Sequence, residues 1–200
     1  MNMRTNTPLL APAILAGVML FLTAAGGCSR GEPKPAATGR VPGPEVRAAA
    51  EKGQEPYFHG LIEEYRNVLA EDSHNLAAVI ALGNALYDAG QWQEAIQYYD
   101  RALRMNPHLA DVITDMGTCF RNLGMPDKAI AQYKRALSIE PVHQGALYNM
   151  GIVYGFDRKE YGRAIQYWQQ LLHVSPKHPK AEYIHATMAQ FHKAMRERPR

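Results

Sequence analysis

Apolar, small and ring-bearing residues return along this chain in a fixed order, and the order repeats. "LGNALYDAGQWQEAIQYYDRALRMNP", from Leu82 to Pro107, is echoed after a shift of 34 residues by "MGTCFRNLGMPDKAIAQYKRALSIEP", from Met116 to Pro141. A third copy, "MGIVYGFDRKEYGRAIQYWQQLLHVSP", runs from Met150 to Pro176 and holds one extra residue. Beyond it, Ala181, Ile184, Met188, Phe191 and Met195 alternate steps of three and four, which predicts a helix with one apolar stripe. At the opposite end, "PLLAPAILAGVMLFLTAA" is free of charge over about 18 residues, and Arg4 precedes it.

Period and residues together resemble the tetratricopeptide repeat, a pair of antiparallel helices. The resemblance covers roughly Tyr57 to Glu197, and each matched place has a physical role. It sets Gly83, Gly117 and Gly151 on the first helices against Ala95, Ala129 and Ala164 on the second, since only small residues let two helices approach so closely. Tyr99, Tyr133 and Trp168 fill the space between helices, and Ala102 and Ala136 admit the next repeat. Leu171 stands where the third such alanine would be and alters that contact. Gly90 and Gly124 suit a left-handed helix end, whereas Pro107, Pro141 and Pro176 stop the second helices. In the third copy Gly155, Phe156, Asp157 and Arg158 replace the turn pattern, so a longer inner turn is expected there.

Upstream, "YFHGLIEEYRNVLAEDSHN" matches the second half of a repeat, with Leu61, Tyr65 and Val68 at the small, ring and small places. The degenerate stretch before it is the candidate for the missing first helix. The expected fold is therefore an all-α TPR helix-turn-helix solenoid of about three full repeats, with a preceding half repeat and a C-terminal capping helix that covers its last apolar face. The divisions follow: a signal peptide over 1–27, a tether over 28–55, the solenoid over 56–178, and a capping helix with a basic tail over 179–200.

The first residues have the charged-then-apolar order of a secretory signal. "AAGGC", ending at Cys28, resembles the lipobox of bacterial lipoproteins, although Ala25 and Gly26 depart from the commonest residues. That resemblance implies cleavage before Cys28 and a diacylglyceryl group on its thiol; an uncleaved anchor and an ordinary cleaved signal are the competing readings. Ser29 is not the aspartate that retains lipoproteins in the inner membrane in enterobacteria-like sorting. The resemblance thus points to the bacterial cell envelope, facing the periplasm, and to the outer membrane ahead of the inner. From Ser29 to about Pro56 the chain is rich in Pro, Gly and Ala, too poor in large apolar residues to offset its ordering entropy. Within it "PEVRAAAEK", Pro44 to Lys52, is a candidate short helix.

Composition narrows the chemistry. With 22 Lys+Arg against 19 Asp+Glu the formal net charge is +3, and no basic run approaches what a nucleic-acid groove needs. Nucleic acid is not an expected partner. Cys28 and Cys119 are far apart in sequence, which predicts neither a disulfide framework nor a metal knuckle; Cys119 reads as a partly buried structural residue. His178, His185 and His192 recur every seven residues, about 10.5 Å along a helix, too far for one metal to bridge. They read as a half-exposed row on the cap, beside a basic tail that suits a helix C-terminus or an anionic surface. No nucleophile, base and orienter arrangement emerges, and there is no phosphate loop. Neither catalysis nor a metal or other cofactor is expected.

Binding is expected on the concave side, which the first helices line. The family's groove positions correspond to Ile80, Asn84, Tyr87 and Asp88, then Asp111, Thr114, Thr118, Arg121 and Asn122, then Tyr148, Ile152, Gly155 and Phe156. Rings beside hydrogen-bonding groups suit an extended peptide. The chaperone-binding subtype, which clamps a terminal carboxylate, would need basic residues at Ile80, Tyr148 and Ile152; only Asn84 agrees with it. The expected function is a membrane-anchored scaffold for a protein partner, with self-association as a competitor. A second reading rests on "YGRAIQYWQQLLHVSPKHPKAEY", which looks like the end of domains that hold apocytochrome in cytochrome c maturation. For the anchor, Cys28→Ser is expected to leave an unprocessed, unacylated precursor; unchanged cleavage on a gel-shift and lipid-labelling assay contradicts it.

Overall fold

Two of the helices begin at side chains that accept free backbone N–H groups, and two are followed by glycines in the left-handed conformation. The computed structural model describes residues 55–197, with side chains from Tyr57 onward; the readings made above for Cys28, the tether, Pro44 to Lys52 and Arg198 to Arg200 lie outside the described residues. The order is α1 (Glu55–Glu71), α2 (Leu76–Asp88), α3 (Trp92–Met105), α4 (Ala110–Asn122), α5 (Pro126–Ile139), α6 (Gln144–Ile152) with a π turn (Val153–Asp157), α7 (Tyr161–Val174) and α8 (Ala181–Arg196). No strand occurs among the described residues. Asn75 and His143, at equivalent places two repeats apart, cap α2 and α6 by accepting the N–H groups of Ala78 and Ala146. Pro126 opens α5, where its missing N–H costs nothing. Gly90 and Gly124 take φ of 75° and 73°, the left-handed conformation expected of them.

Successive helices pack as pairs, α2 with α3, α4 with α5 and α6 with α7, and each pair packs on the next. The all-α solenoid read from the sequence is thus the fold found. Its core is set by one contact used three times. Tyr99, Tyr133 and Trp168 are fully buried, each ring lying on a first-helix glycine. A Cβ on Gly83 would stand 2.8 Å from the Tyr99 ring, one on Gly117 2.6 Å from Tyr133, and one on Gly151 2.0 Å from Trp168. Polar tips are satisfied as well: the Tyr99 hydroxyl donates to Asn84 Oδ1 at 2.9 Å and Trp168 Nε1 to the Tyr148 carbonyl at 3.1 Å. Between pairs, Arg101, Arg135 and Gln170 donate to the carbonyls of Ser73, Pro107 and Pro141.

The third pair departs from expectation. Its inner turn is no longer than the others: residues 158–160 link α7 to the π turn, just as 89–91 and 123–125 link the earlier pairs. The extra residue sits instead inside the first helix, where the backbone widens into the π turn. In the first two pairs Gln91 and Met125 donate backward to the carbonyls of Leu86 and Phe120, while Glu160 reaches one residue further, to Tyr154. Lys159, at φ 56°, occupies the left-handed position that glycine holds elsewhere.

Both ends differ in finish. On α8, Ile184, Thr187 and Phe191 are buried, and Phe191 stacks on Trp168 at 5.7 Å and Tyr161 at 4.6 Å. Met195, placed on the stripe by its spacing, is 38% exposed because α7 has ended. Leu171 is fully buried in the alanine place. On α1, Ile62 and Leu69 carry the packing onto α2, and Val68 is exposed rather than enclosed since no described helix precedes α1. Among the described residues no helix is long and apolar enough to cross a membrane. Gly151→Ala is expected to destabilise the fold by about 1–3 kcal/mol through overpacking against Trp168; an unaltered thermal midpoint contradicts the contact.

Candidate functional site

In stacked helix pairs the first helices α2, α4 and α6, followed by α8, line the inner side. Ile80 and Asn84 are half-buried there and Asp88 is exposed. Tyr87 is only 8% exposed, and burial pushes its phenol far above the ordinary range. Thr114 and Thr118 are 1% exposed and Ile152 6%. The Thr114 hydroxyl donates to the Ala110 carbonyl at 2.8 Å, and that of Thr118 to the Thr114 carbonyl at 3.1 Å. Thr118 also accepts from Asn149 Nδ2 at 3.2 Å and meets the Tyr133 hydroxyl at 3.2 Å. Tyr87, Thr114, Thr118 and Ile152 therefore support the wall and do not form its surface.

Arg121 stays at the surface but is engaged. Its Nε and Nη2 donate to the two Asp157 oxygens at 2.5 and 3.0 Å, a fork joining α4 to the π turn. Tyr148 is half-buried, stacked on Trp168 at 6.5 Å and on His178 at 6.0 Å; burial raises its hydroxyl to about 12. Phe156 is 45% exposed and lies edge-on to Phe191 at 5.5 Å. Tyr183, also 45% exposed, lies edge-on to Trp168 at 6.4 Å. The sequence reading missed Tyr183, although it stands one repeat after Tyr148 once the extra residue is counted.

Three groups on this side have the residue types of a hydrolytic triad. His143 Nε2 lies 2.9 Å from Asp111 Oδ1, and Thr114 Oγ1 is 3.5 Å from His143 Nδ1. The hydrogen bonds assign them otherwise. Nδ1 accepts the Ala146 N–H at 3.1 Å, so its lone pair is occupied, and the Thr114 proton goes to Ala110. Burial lowers the affinity of His143 for a proton, the bonded Asp111 raises it, and the net shift is upward. Asp111 and His143 thus join two repeats and cap α6.

Asp115 is the group that neither the repeat nor the family positions single out. Burial pushes its carboxyl up to about 7, with Asp111 and Asp88 acting in the same direction and His143 opposing. Cys119 is fully buried, and burial drives its thiol well above its ordinary range, as a structural cysteine requires. His178 stacks on Tyr148 and accepts the Lys180 N–H, whereas His185 and His192 are exposed on α8. Among the described residues no three His, Cys, Asp or Glu side chains form a metal-sized group.

Family models described as tetratricopeptide repeat match residues 75–140 and 145–178, together half of the chain. No curated protein matches it. Several solved structures share the fold. MamA is 21% identical with a TM-score of 0.63, over 72% of this chain and 82% of that one. A thermophilic repeat protein from Thermus thermophilus is 19% identical with a TM-score of 0.61, over 72% and 78%. The first such domain of Spaghetti (RPAP3), solved with the HSP90 peptide SRMEEVD, is 17% identical with a TM-score of 0.56, over 63% and 97%. At these identities the likeness is one of fold.

Because the folded state raises the Asp115 pKa from 3.8 to about 7, it retains a proton that the unfolded chain has released, so stability falls as pH rises between those values. Asp115→Asn is expected to stabilise the fold at pH 8, by roughly 1 kcal/mol or more, and to change it little at pH 4. Equal shifts of the thermal midpoint at both pH values contradict this.

Proposed function

We propose that this chain, which belongs to the tetratricopeptide repeat proteins, is a non-enzymatic scaffold held at the envelope membrane by a lipid on Cys28, with an extended segment of a partner protein lying along its inner face. The observation that supports this most is the ring cluster around Trp168. Tyr148, Phe156 and Tyr183 remain part-exposed while each ring packs against Trp168 or Phe191. Rings held from behind offer apolar area with little rotamer entropy left to lose.

Charge gives the partner a second character. Asp88, Asp111 and Asp115 stand on the first two inner helices, and the nearby Arg121 is already paired with Asp157. A segment with aliphatic or aromatic anchors toward the third repeat and basic residues toward the first fits this distribution. The relative solved with an acidic HSP90 peptide presents a different case, since Ile80, Tyr148 and Ile152 carry no positive charge here.

The test is affinity capture from cross-linked native membranes with the full-length protein, beside a Phe156→Ser/Tyr183→Ser variant. Both side chains are exposed enough for the fold to persist. The expected result is a partner whose recovery falls about tenfold or more in the variant. Recovery of apocytochrome as the groove-dependent partner would select the cytochrome-maturation reading, and identical recovery with both proteins overturns the groove.

A further inference from the structure

Asn75, Leu109 and His143 stand at equivalent places before α2, α4 and α6. Asn75 Oδ1 accepts the Ala78 N–H, Leu109 offers no side-chain cap, and His143 Nδ1 accepts the Ala146 N–H at 3.1 Å. An amide accepts at every ordinary pH, whereas an imidazole accepts only while one ring nitrogen is bare. His143 therefore caps α6 in its neutral form alone, with Nε2–H donating to Asp111 Oδ1 at 2.9 Å. A second proton would not lack a partner. Thr114 Oγ1, 3.5 Å from Nδ1, sends its own proton to the Ala110 carbonyl and keeps lone-pair capacity for a donor.

We infer that His143 is a proton-driven exchange of partners at the joint between α4 and α6. Taking a proton from solvent at Nδ1, the ring gives up the Ala146 N–H, donates to the Thr114 oxygen instead, and holds Asp111 as an ion pair through Nε2–H. The joint tightens while the first turn of α6 loses its cap. Although His143 is only 7% exposed, the Asp111 carboxylate bonded to it is exposed and brings the pair to the water.

The charges facing His143 favour the exchange. Asp111 and Asp115 face it from α4 and Glu140 from the end of α5, while α6 contributes no charge. Burial opposes the proton, the bonded Asp111 and the other carboxylates favour it, and the net shift is upward. That contribution to global stability is thus full below the unfolded value of about 6.5 and is lost as pH rises through the folded one. Acid loosens one turn without loosening the fold. His178 is the contrast within the chain: it stands at the next equivalent place once the extra residue is counted, and its Nδ1 accepts the Lys180 N–H at 3.1 Å. Burial and Lys180 lower its affinity for a proton, so the two rings titrate on opposite sides of the ordinary histidine value. Tyr148 stands two residues beyond Ala146; if the inner face binds a partner as proposed above, acid loosens the seat of one of its rings, but the exchange itself does not depend on that reading.

Residue-resolved amide exchange on the isotope-labelled full-length protein tests the inference, with the histidine ring nitrogens followed in the same samples. Wild type is compared with Asp115→Asn and with His143→Asn, which substitutes the kind of cap that Asn75 makes and leaves Asp111, Asp115 and Glu140 in place. After correction for the intrinsic pH dependence of exchange, Ala146 is expected to lose protection about fivefold or more from about pH 8.5 to about pH 5 in wild type and Asp115→Asn. The loss follows the His143 titration. In His143→Asn the Ala146 amide stays level, as that of Ala78 does in all three proteins. Protection of Ala146 that is unchanged while His143 titrates overturns the inference, as does a His143 ring still neutral at the acid end. A loss that is equal in His143→Asn, or absent from Asp115→Asn, assigns the response to Asp115 and overturns it equally.

Discussion

The stack depends on a ring lying where a side chain is missing. Tyr99, Tyr133 and Trp168 each occupy the volume that a Cβ on Gly83, Gly117 or Gly151 would need, and this sets how closely the two helices of each pair approach. Inter-helix distance in turn decides what the inner side can offer. With the ring drawn in, Tyr99 reaches Asn84 and Tyr133 reaches Thr118, so the residues behind the inner wall are held from the rear. The same closeness leaves Thr114, Thr118 and Asn149 buried; Asn149 Nδ2 donates across helices to the Thr118 hydroxyl, while the two threonine hydroxyls turn back to carbonyls of their own helix.

Most of the fold was legible because packing in a repeat is periodic. A period of 34 residues, small residues facing rings and prolines after the second helices specify the pairs without any long-range information. The inner face was only partly legible. Repeat register assigns a residue to a face, but a helix presents a continuum of directions, and the neighbouring pair decides which are enclosed. Tyr87 and Thr118 lay on the right side of their helices and were taken inward; Asp88 and Phe156 lay a step away and were not. The Arg121 to Asp157 fork and the Asp111 to His143 pair join residues 36 and 32 apart, and nothing in a single sequence announces such partners.

Polar contacts and rings divide the length of the stack between them. Toward the first repeats the inner face carries carboxylates, one of which, Asp115, gives up its proton reluctantly because it is part-buried and stands near Asp111 and Asp88. Toward the last, a cluster of rings gathers about Trp168, with His178 stacked on Tyr148. A ligand lying along such a face would be read for sign at one end and for shape at the other, which fixes its polarity as well as its place.

The π turn has a consequence for how such a chain can change. One added residue in an α-helix rotates everything beyond it by about 100° and would turn the next helix's buried face outward. Here the widened turn absorbs the added residue before α7 begins, so Ala164, Trp168 and Leu171 still point inward. It acts as a suppressor of a frameshift in three dimensions: the reading of inside and outside is lost for one turn and then restored. A solenoid can therefore take in a residue and keep count, provided that the residue enters where the backbone is free to widen.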